Sequence, residues 1–266
     1  MNRVIPGLAL ALCWLLLLLK GSVVLFFIVL LSGLAIGAYE YGKMVFSNDS
    51  LLEPTILAFL TIIPVFSSFF IPFPGLSGGL TLAFLLLSFW TLTTYKQGFD
   101  SLAFFSKCSL GLFWVGFLGT HLLLIRTLPE GNYWLLILTG ITAGSDSGAY
   151  YTGRAFGKHK LSPLISPNKT IEGALGGIVT GMVVAAILAG TLLQIVPWIF
   201  VLFSAIVLGV VGICGDLVES VIKRATGTKD SGTILGGHGG ILDRADSILF
   251  AAPVLYYLLL AVSLTP

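Results

Sequence analysis

Hydrophobic residues form long uninterrupted runs along most of this chain, and short polar segments separate them. A helix needs about 20 consecutive apolar residues to cross the roughly 30 Å hydrocarbon layer of a bilayer. On that criterion the runs predict nine transmembrane helices, near residues 4–19, 22–39, 55–71, 78–95, 104–125, 133–151, 173–195, 198–215 and 247–264. The predicted fold class is therefore all-α, a polytopic membrane helix bundle.

Two interruptions decide how the longest apolar stretches divide. Lys20, Gly21 and Ser22 split the first run into two helices. A charge-free stretch over 54–95 is broken at Pro64, Pro72, Pro74 and Gly75, because proline disfavours a helix interior. Along the chain we expect N-terminal transmembrane helices over 1–132 and a C-terminal catalytic transmembrane region over 133–266, within one integral unit.

Charge is scarce and unevenly distributed. Only 10% of the residues are charged, against about 25% in soluble domains, which excludes an ordinary soluble globule and a disordered chain. With a cytoplasmic N-terminus and nine spans, all Lys and Arg except Lys20 and Arg126 fall on the inner side, as the positive-inside rule requires. The net charge of +2 is too small and dispersed to indicate nucleic acid as a partner.

More than half of the charged residues lie in two polar regions, Asp146–Glu172 and Asp216–Asp246. Both regions face the cytoplasm in the predicted orientation. Charged residues in a membrane protein are retained at an energetic cost, so their concentration indicates a functional site.

The second region carries two groups of carboxylates with helical spacing. If the helix continues beyond its apolar part, one face carries Asp216, Glu219, Ser220 and Lys223. Asp243 and Asp246 share a face where the last span begins. Such hard oxygen ligands suit Mg²⁺. The alternative is a solvated network of ion pairs with neighbouring lysines and arginines.

A glycine-rich segment lies between the two carboxylate groups. Lys229 and Asp230 open it, and His238 is followed by Gly239 and Gly240. Glycines let backbone N–H groups approach a ligand closely and form anion-binding nests. This pattern favours a phosphate-binding loop in which His238 contacts phosphate or holds the loop, and the alternative is a flexible surface loop.

The first region has the features of a helix N-terminus that binds phosphate. Ser166 precedes Pro167, and Lys169, Thr170 and Glu172 lie where we expect the next helix to start. Helix N-termini attract phosphate groups, although the segment lacks the glycines of a Walker A loop. A simple helix cap is the alternative. Asp146, near the end of an apolar helix, is a candidate metal or nucleotide contact, with a local cap or ion pair as its alternative.

Together these residues resemble the signature of the phosphatidate cytidylyltransferases, also called CDP-diacylglycerol synthases. The resemblance lies in the run from Ser220 through Lys229-Asp230-Ser231-Gly232 to His238-Gly239-Gly240-Ile241-Leu242-Asp243-Arg244-Ala245-Asp246, with Gly215-Asp216, Asp146-Ser147 and 166–173 upstream. It implies the reaction of CTP with phosphatidate in the bilayer to give CDP-diacylglycerol and pyrophosphate. Gly236 and Ala245 depart from the usual pattern without removing a charged group.

The resemblance also implies roles for individual residues. Asp216 and Asp243 would bind Mg²⁺, with Glu219 and Asp246 in support. The alternative is a site that holds a second cation besides Mg²⁺. The catalytic set would be Lys223, Arg224, Lys229, Asp230, His238 and Arg244. The substrate-binding set would be Asp146, Ser166, Lys169, Thr170, Glu172, Ser220, Gly239 and Gly240.

Two other functions are compatible with part of the pattern. A CTP-dependent polyprenol or phytol kinase would release CDP instead of pyrophosphate. A cation transporter would use the carboxylates as an ion pathway, although they cluster at loop ends and not at mid-bilayer. We expect a bacterial plasma-membrane protein with its site facing the cytoplasm, and small-residue spans favour a homodimer.

Overall fold

The computed structural model describes residues 4–46, 51–97, 100–234 and 239–263. Within these ranges the chain consists almost wholly of helices. They are α1 (Val4–Lys20), α2 (Val23–Val45), α3 (Leu52–Phe70), α4 (Pro72–Thr94), α5 (Ser101–Arg126), α6 (Gly131–Phe156), α7 (Ile171–Leu192), α8 (Trp198–Ala225) and α9 (Leu242–Ser263). A π-helical segment, Leu112–Leu118, lies inside α5. Between α6 and α7, β1 (Lys160–Ser162) and β2 (Ser166–Thr170) form a short antiparallel hairpin.

Seven of the described helices are long and apolar enough to cross a membrane: α2, α3, α4, α5, α7, α8 and α9. The two remaining predicted spans fall on α1, which has 17 residues, and on α6, which has 26 residues and includes Asp146 and Arg154. The predicted all-α polytopic membrane fold is therefore confirmed.

The helix boundaries follow the interruptions in the sequence. α1 ends at Lys20, and α2 begins after Ser22, whose hydroxyl accepts a hydrogen bond from the Leu25 N–H at 3.1 Å. α4 begins at Pro72, where a missing N–H leaves no donor unsatisfied. The predicted break at Pro64 is wrong, because Pro64 lies inside α3 and does not end it. Membrane helices tolerate proline where neighbouring helices and local adjustments satisfy the freed backbone groups.

The described residues divide into two compact units. The first takes its residues from 1–10, 21–124 and 228–244. Its core surrounds the buried Tyr41, which donates to the Lys107 carbonyl at 2.9 Å and packs edge-on against Trp114 with ring centroids 5.9 Å apart. A Cβ on Gly42 would lie 2.7 Å from the Pro54 Cα, so α2 and α3 touch backbone to backbone.

The second unit takes its residues from 11–20, 125–227 and 245–266. Small residues bring α6 and α7 into close contact, and a Cβ on Gly177 would lie 2.7 Å from the Ser145 carbonyl oxygen. α8 packs on α7, where Gly209 faces Ile178. In this unit α6 ends and α7 begins at the hairpin, and this arrangement positions the polar residues of the first predicted region.

Candidate active site

Thr170 ends the hairpin and caps α7. Its backbone is extended, and its side chain accepts a hydrogen bond from the Gly173 N–H at 3.1 Å. This is the arrangement of an N-cap threonine, which satisfies one of the free N–H groups of the first helical turn. The helix start that the sequence predicted near Thr170 is confirmed.

Glu172 holds the segment that leads into the hairpin. Its carboxylate accepts hydrogen bonds from the Lys158 N–H at 3.1 Å and the His159 N–H at 3.2 Å, and it contacts His159 Nδ1 at 2.6 Å. These contacts tie the first turn of α7 to the residues before β1. The substrate-binding role of Glu172 stays a prediction.

The second unit contains a cavity of about 540 Å³ beside the hairpin. Four of its lining residues come from the predicted substrate-binding set: Asp146, Ser166, Lys169 and Thr170. Asp216 of the predicted metal set also lines it. The sequence interpretation missed Tyr150, Arg154 and Asn168, which line the same cavity. The basic Arg154 in the last turn of α6 was the available signal.

Lys169 and Asp216 form an ion pair on the wall of this cavity. Lys169 Nζ contacts Asp216 Oδ2, although the two residues lie 47 positions apart. The side chains are 27% and 31% exposed, so both remain accessible to a solute. The hairpin and α8 therefore contribute opposite charges to one site.

A cluster of charged residues extends from Asp216 along α8. Glu219 is 1% exposed and pairs with Lys223 one turn further on, with Oε2 and Nζ 2.7 Å apart. Asp246 of α9 lies beside Glu219 and interacts electrostatically with Asp216. The predicted continuation of this helix through Arg224 is confirmed, since α8 extends to Ala225.

Gly215 explains why Asp216 and Asp246 come together. A Cβ at this position would lie 2.9 Å from the Asp246 carbonyl oxygen and 3.0 Å from the Phe250 side chain. One turn away, the Ser247 hydroxyl donates to the Gly212 carbonyl at 3.1 Å. Only a residue without a side chain allows α8 to approach α9 so closely.

In the first unit, Asp243 binds backbone groups of the glycine-rich segment. Its two oxygens accept from the Ser231 N–H at 3.1 and 3.0 Å, and Oδ2 also accepts from the Gly240 N–H at 2.7 Å. Gly239 has a φ of +79°, and a Cβ there would overlap the Asp243 carboxylate. Glycine is therefore required at this turn on both conformational and steric grounds.

Glu40 of α2 belongs to the same group of contacts, and the sequence interpretation missed it. It is 3% exposed and accepts hydrogen bonds from the backbone N–H groups of Ile241 at 3.2 Å and Leu242 at 3.0 Å. The available signal was an acidic residue inside a helix apolar enough to span a membrane, which by default indicates function.

The other predicted residues fall into three groups. Lys229, Asp230 and Arg244 are exposed residues of the first unit. In the second unit, Ser220 is half-buried on α8, and Arg224 Nε donates to the Ile165 carbonyl at 3.4 Å. His238 lies outside the described residues.

Metal ligation by these carboxylates stays a prediction. Among the described residues, no group of three or more His, Cys, Asp or Glu side chains is arranged to hold a metal ion. Within the second unit, Asp246 interacts electrostatically with Asp216, while Lys169 and Lys223 are the cationic partners of Asp216 and Glu219.

Comparison with known proteins relates this arrangement to one family. The model of the cytidylyltransferase family matches residues 1–262. A phosphatidate cytidylyltransferase of Staphylococcus epidermidis is 36% identical over 261 residues, 97% of this chain and 98% of the relative. One from Staphylococcus saprophyticus is 35% identical over 249 residues, 88% and 94% of the two chains. One from Bacillus subtilis is 43% identical over 176 residues, which cover 66% of this chain. The same residues cover 64% of the relative, which is less than two thirds of its length.

Proposed function

The chain belongs to the cytidylyltransferase family, and we propose that it transfers the cytidylyl group of CTP to phosphatidate, giving CDP-diacylglycerol and pyrophosphate. The observation that carries this proposal is that similarity to proteins named phosphatidate cytidylyltransferase extends over nearly the whole chain. The membrane fold suits the reaction, because both the lipid substrate and the lipid product stay in the bilayer. No observation favours the polyprenol kinase or the transporter.

The chemistry requires charge neutralisation more than proton removal. A phosphate oxygen of phosphatidate attacks the α-phosphorus of CTP, and a new phosphorus–oxygen bond forms. The bond between the α-phosphorus and the oxygen bridging to the β-phosphate breaks, and pyrophosphate leaves. A phosphate monoester is already anionic at neutral pH, because its second pKa is about 6. The site must therefore bring two polyanions together and stabilise the leaving group.

The cavity of the second unit offers the groups for this task. Lys169 and Arg154 supply positive charge on its wall, and Thr170 starts α7 there. The N-terminus of a helix carries a partial positive charge that favours phosphate. In our proposal these groups bind phosphates of the substrates, while Asn168 and Ser166 contribute neutral hydrogen-bonding groups.

We propose Mg²⁺ as the cofactor, held by Asp216 and Asp246. Proteins usually bind Mg²⁺ through one or two carboxylates together with substrate phosphates, so two neighbouring carboxylates beside a phosphate cavity fit this ion. Their electrostatic interaction supports the assignment, as does the exposure of Asp216. When bound, the ion would act as a Lewis acid and neutralise phosphate charge. Glu219 and Lys223 would orient Asp246.

The site faces the cytoplasm in this proposal. In the second unit, the end of α6, the hairpin and the start of α7 contribute to one cavity. Arg154, Lys158, Lys160 and Lys169 lie in this part of the chain, which the positive-inside rule assigns to the cytoplasmic side. A second cation and a homodimer stay predictions.

The test is product analysis with purified protein in detergent. CTP labelled in the cytidine and CTP labelled in the γ-phosphate are each incubated with phosphatidate and Mg²⁺. We expect label from cytidine in a lipid product and label from the γ-phosphate in pyrophosphate. CDP release with phosphorylation of a polyprenol would instead identify a kinase. Ion flux into liposomes without CTP, and with no lipid product, would identify a transporter.

A further inference from the structure

Glu40 is a buried carboxylate that the reaction itself does not use. It lies near the end of α2 and accepts hydrogen bonds from the Ile241 and Leu242 N–H groups, at the start of α9. The first N–H groups of a helix have no partner within the helix and carry its partial positive charge. Glu40 therefore caps α9 from a position about 200 residues earlier in the chain.

The other end of the glycine-rich segment meets the same carboxylate. The Ser231 hydroxyl lies 3.4 Å from Glu40 Oε2 and accepts the Asp243 N–H at 3.3 Å. A Cβ on Gly232 or on Gly240 would overlap the Glu40 carboxylate. The chain therefore packs around Glu40 both where the segment begins and where it ends.

We propose that Glu40 is a positioning residue that fixes residues 229–234 and 239–242, the two described ends of the glycine-rich segment, and so determines how these residues meet the phosphates of CTP. The effect on CTP binding rests on the proposed function, whereas the ordering of these residues does not. Glu40 acts through Ser231 and the start of α9, and it touches no substrate. Its negative charge is needed because each carboxylate oxygen accepts an N–H.

Glu40→Gln tests the proposal with little change in shape. The amide has one acceptor oxygen, so its NH₂ group must face an N–H donor that the carboxylate satisfied. A hydrogen bond to a charged group corresponds to roughly tenfold or more in an equilibrium constant. We expect the KM for CTP to rise about tenfold or more, with the KM for phosphatidate nearly unchanged and the melting temperature of the protein in detergent lowered by only a few degrees.

A second measurement reports on the segment without depending on catalysis. Lys229 is exposed, and trypsin cleavage after it can be followed by mass spectrometry. We expect faster cleavage after Lys229 in Glu40→Gln and, to a lesser degree, in Ser231→Ala. The matched control is Glu53→Gln, which removes the charge of a carboxylate in the first turn of α3 in the same unit. This control should change neither the KM for CTP nor the cleavage rate.

The outcomes separate the two proposals. Unchanged cleavage and an unchanged KM for CTP in Glu40→Gln would overturn the positioning role. A lower melting temperature with fewer active molecules, but the wild-type KM for CTP, would reduce Glu40 to a structural residue. If Glu40→Gln does not fold, Ser231→Ala carries the same two measurements. If the wild type makes no CDP-diacylglycerol while Glu40→Gln still accelerates cleavage, the proposed function fails and the ordering role of Glu40 stands.

Discussion

Replacing Lys169 with methionine should nearly abolish turnover and leave the protein folded. Lys169 stands on the cavity wall in an ion pair with Asp216, where its charge can stabilise the phosphates of the reaction. Methionine keeps an unbranched side chain of similar length and removes only the charge and the hydrogen-bond donors. The substitution therefore isolates the electrostatic contribution of this one side chain.

The expected magnitudes differ enough to decide between a catalytic and a structural role. Both members of the Lys169–Asp216 pair are about one quarter to one third exposed, so the pair stabilises the fold by at most about 1 kcal/mol. A donor directed at charge that develops in a transition state contributes about 2.7–4 kcal/mol, or a factor of 10²–10³ in kcat. We therefore expect a loss of about 10²–10³ in kcat.

The assay measures kcat and the KM for CTP in detergent and, in parallel, the melting temperature. Lys160→Met is the control, because it makes the same chemical change on an exposed residue of β1 in the same hairpin. The reasoning fails if Lys169→Met keeps more than about a tenth of the wild-type kcat. It also fails if Lys160→Met loses as much, or if the loss matches the fraction of unfolded protein.

Two further predictions concern the metal and the contact between α8 and α9. EDTA should stop turnover and added Mg²⁺ should restore it. Asp246→Asn should raise the Mg²⁺ concentration needed for half-maximal rate, whereas Asp243→Asn should accelerate trypsin cleavage after Lys229. If both variants raise that Mg²⁺ concentration equally, the assignment of Asp246 to the metal and of Asp243 to the backbone is wrong. Gly215→Ala should destabilise the protein by about 1–3 kcal/mol through overpacking and lower kcat. Gly33→Ala, where a Cβ meets nothing within 4 Å, should lower neither quantity.

Local physical signals made much of the fold predictable from the sequence. Hydropathy gives the spans, since a membrane helix needs a fixed length of apolar residues. Proline and glycine mark the start of α4, and the polar hydroxyl of Thr170 marks the start of α7. The spacing of Asp216, Glu219 and Lys223 predicted a shared helix face, and the ion pair between Glu219 and Lys223 follows from it.

The contacts that sequence reasoning missed depend on tertiary packing. Nothing in the local pattern relates Glu40 to Ser231, which lies 191 residues later, because their contact arises only when α2 packs beside the start of α9. Arg154 lies within the first polar region, but its position on the cavity wall depends on how α6 meets the hairpin. Spacing along a helix predicts neighbours on that helix and does not predict which backbone donors a carboxylate will meet.

The partners of the carboxylates separate those that hold the backbone from those that can exchange a ligand. Glu40 and Asp243 accept backbone N–H groups, and each such donor would be left unsatisfied, at about 1–3 kcal/mol, if a metal ion took the carboxylate away. Asp216 instead pairs with the side chain of Lys169, which can turn to a substrate phosphate when a cation binds the carboxylate. This difference favours Asp216 as a Mg²⁺ ligand and assigns Asp243 to the backbone contacts of Ser231 and Gly240. Asp246 accepts one backbone N–H, from Ser247 at 2.6 Å, so its proposed role as a ligand rests on its electrostatic interaction with Asp216.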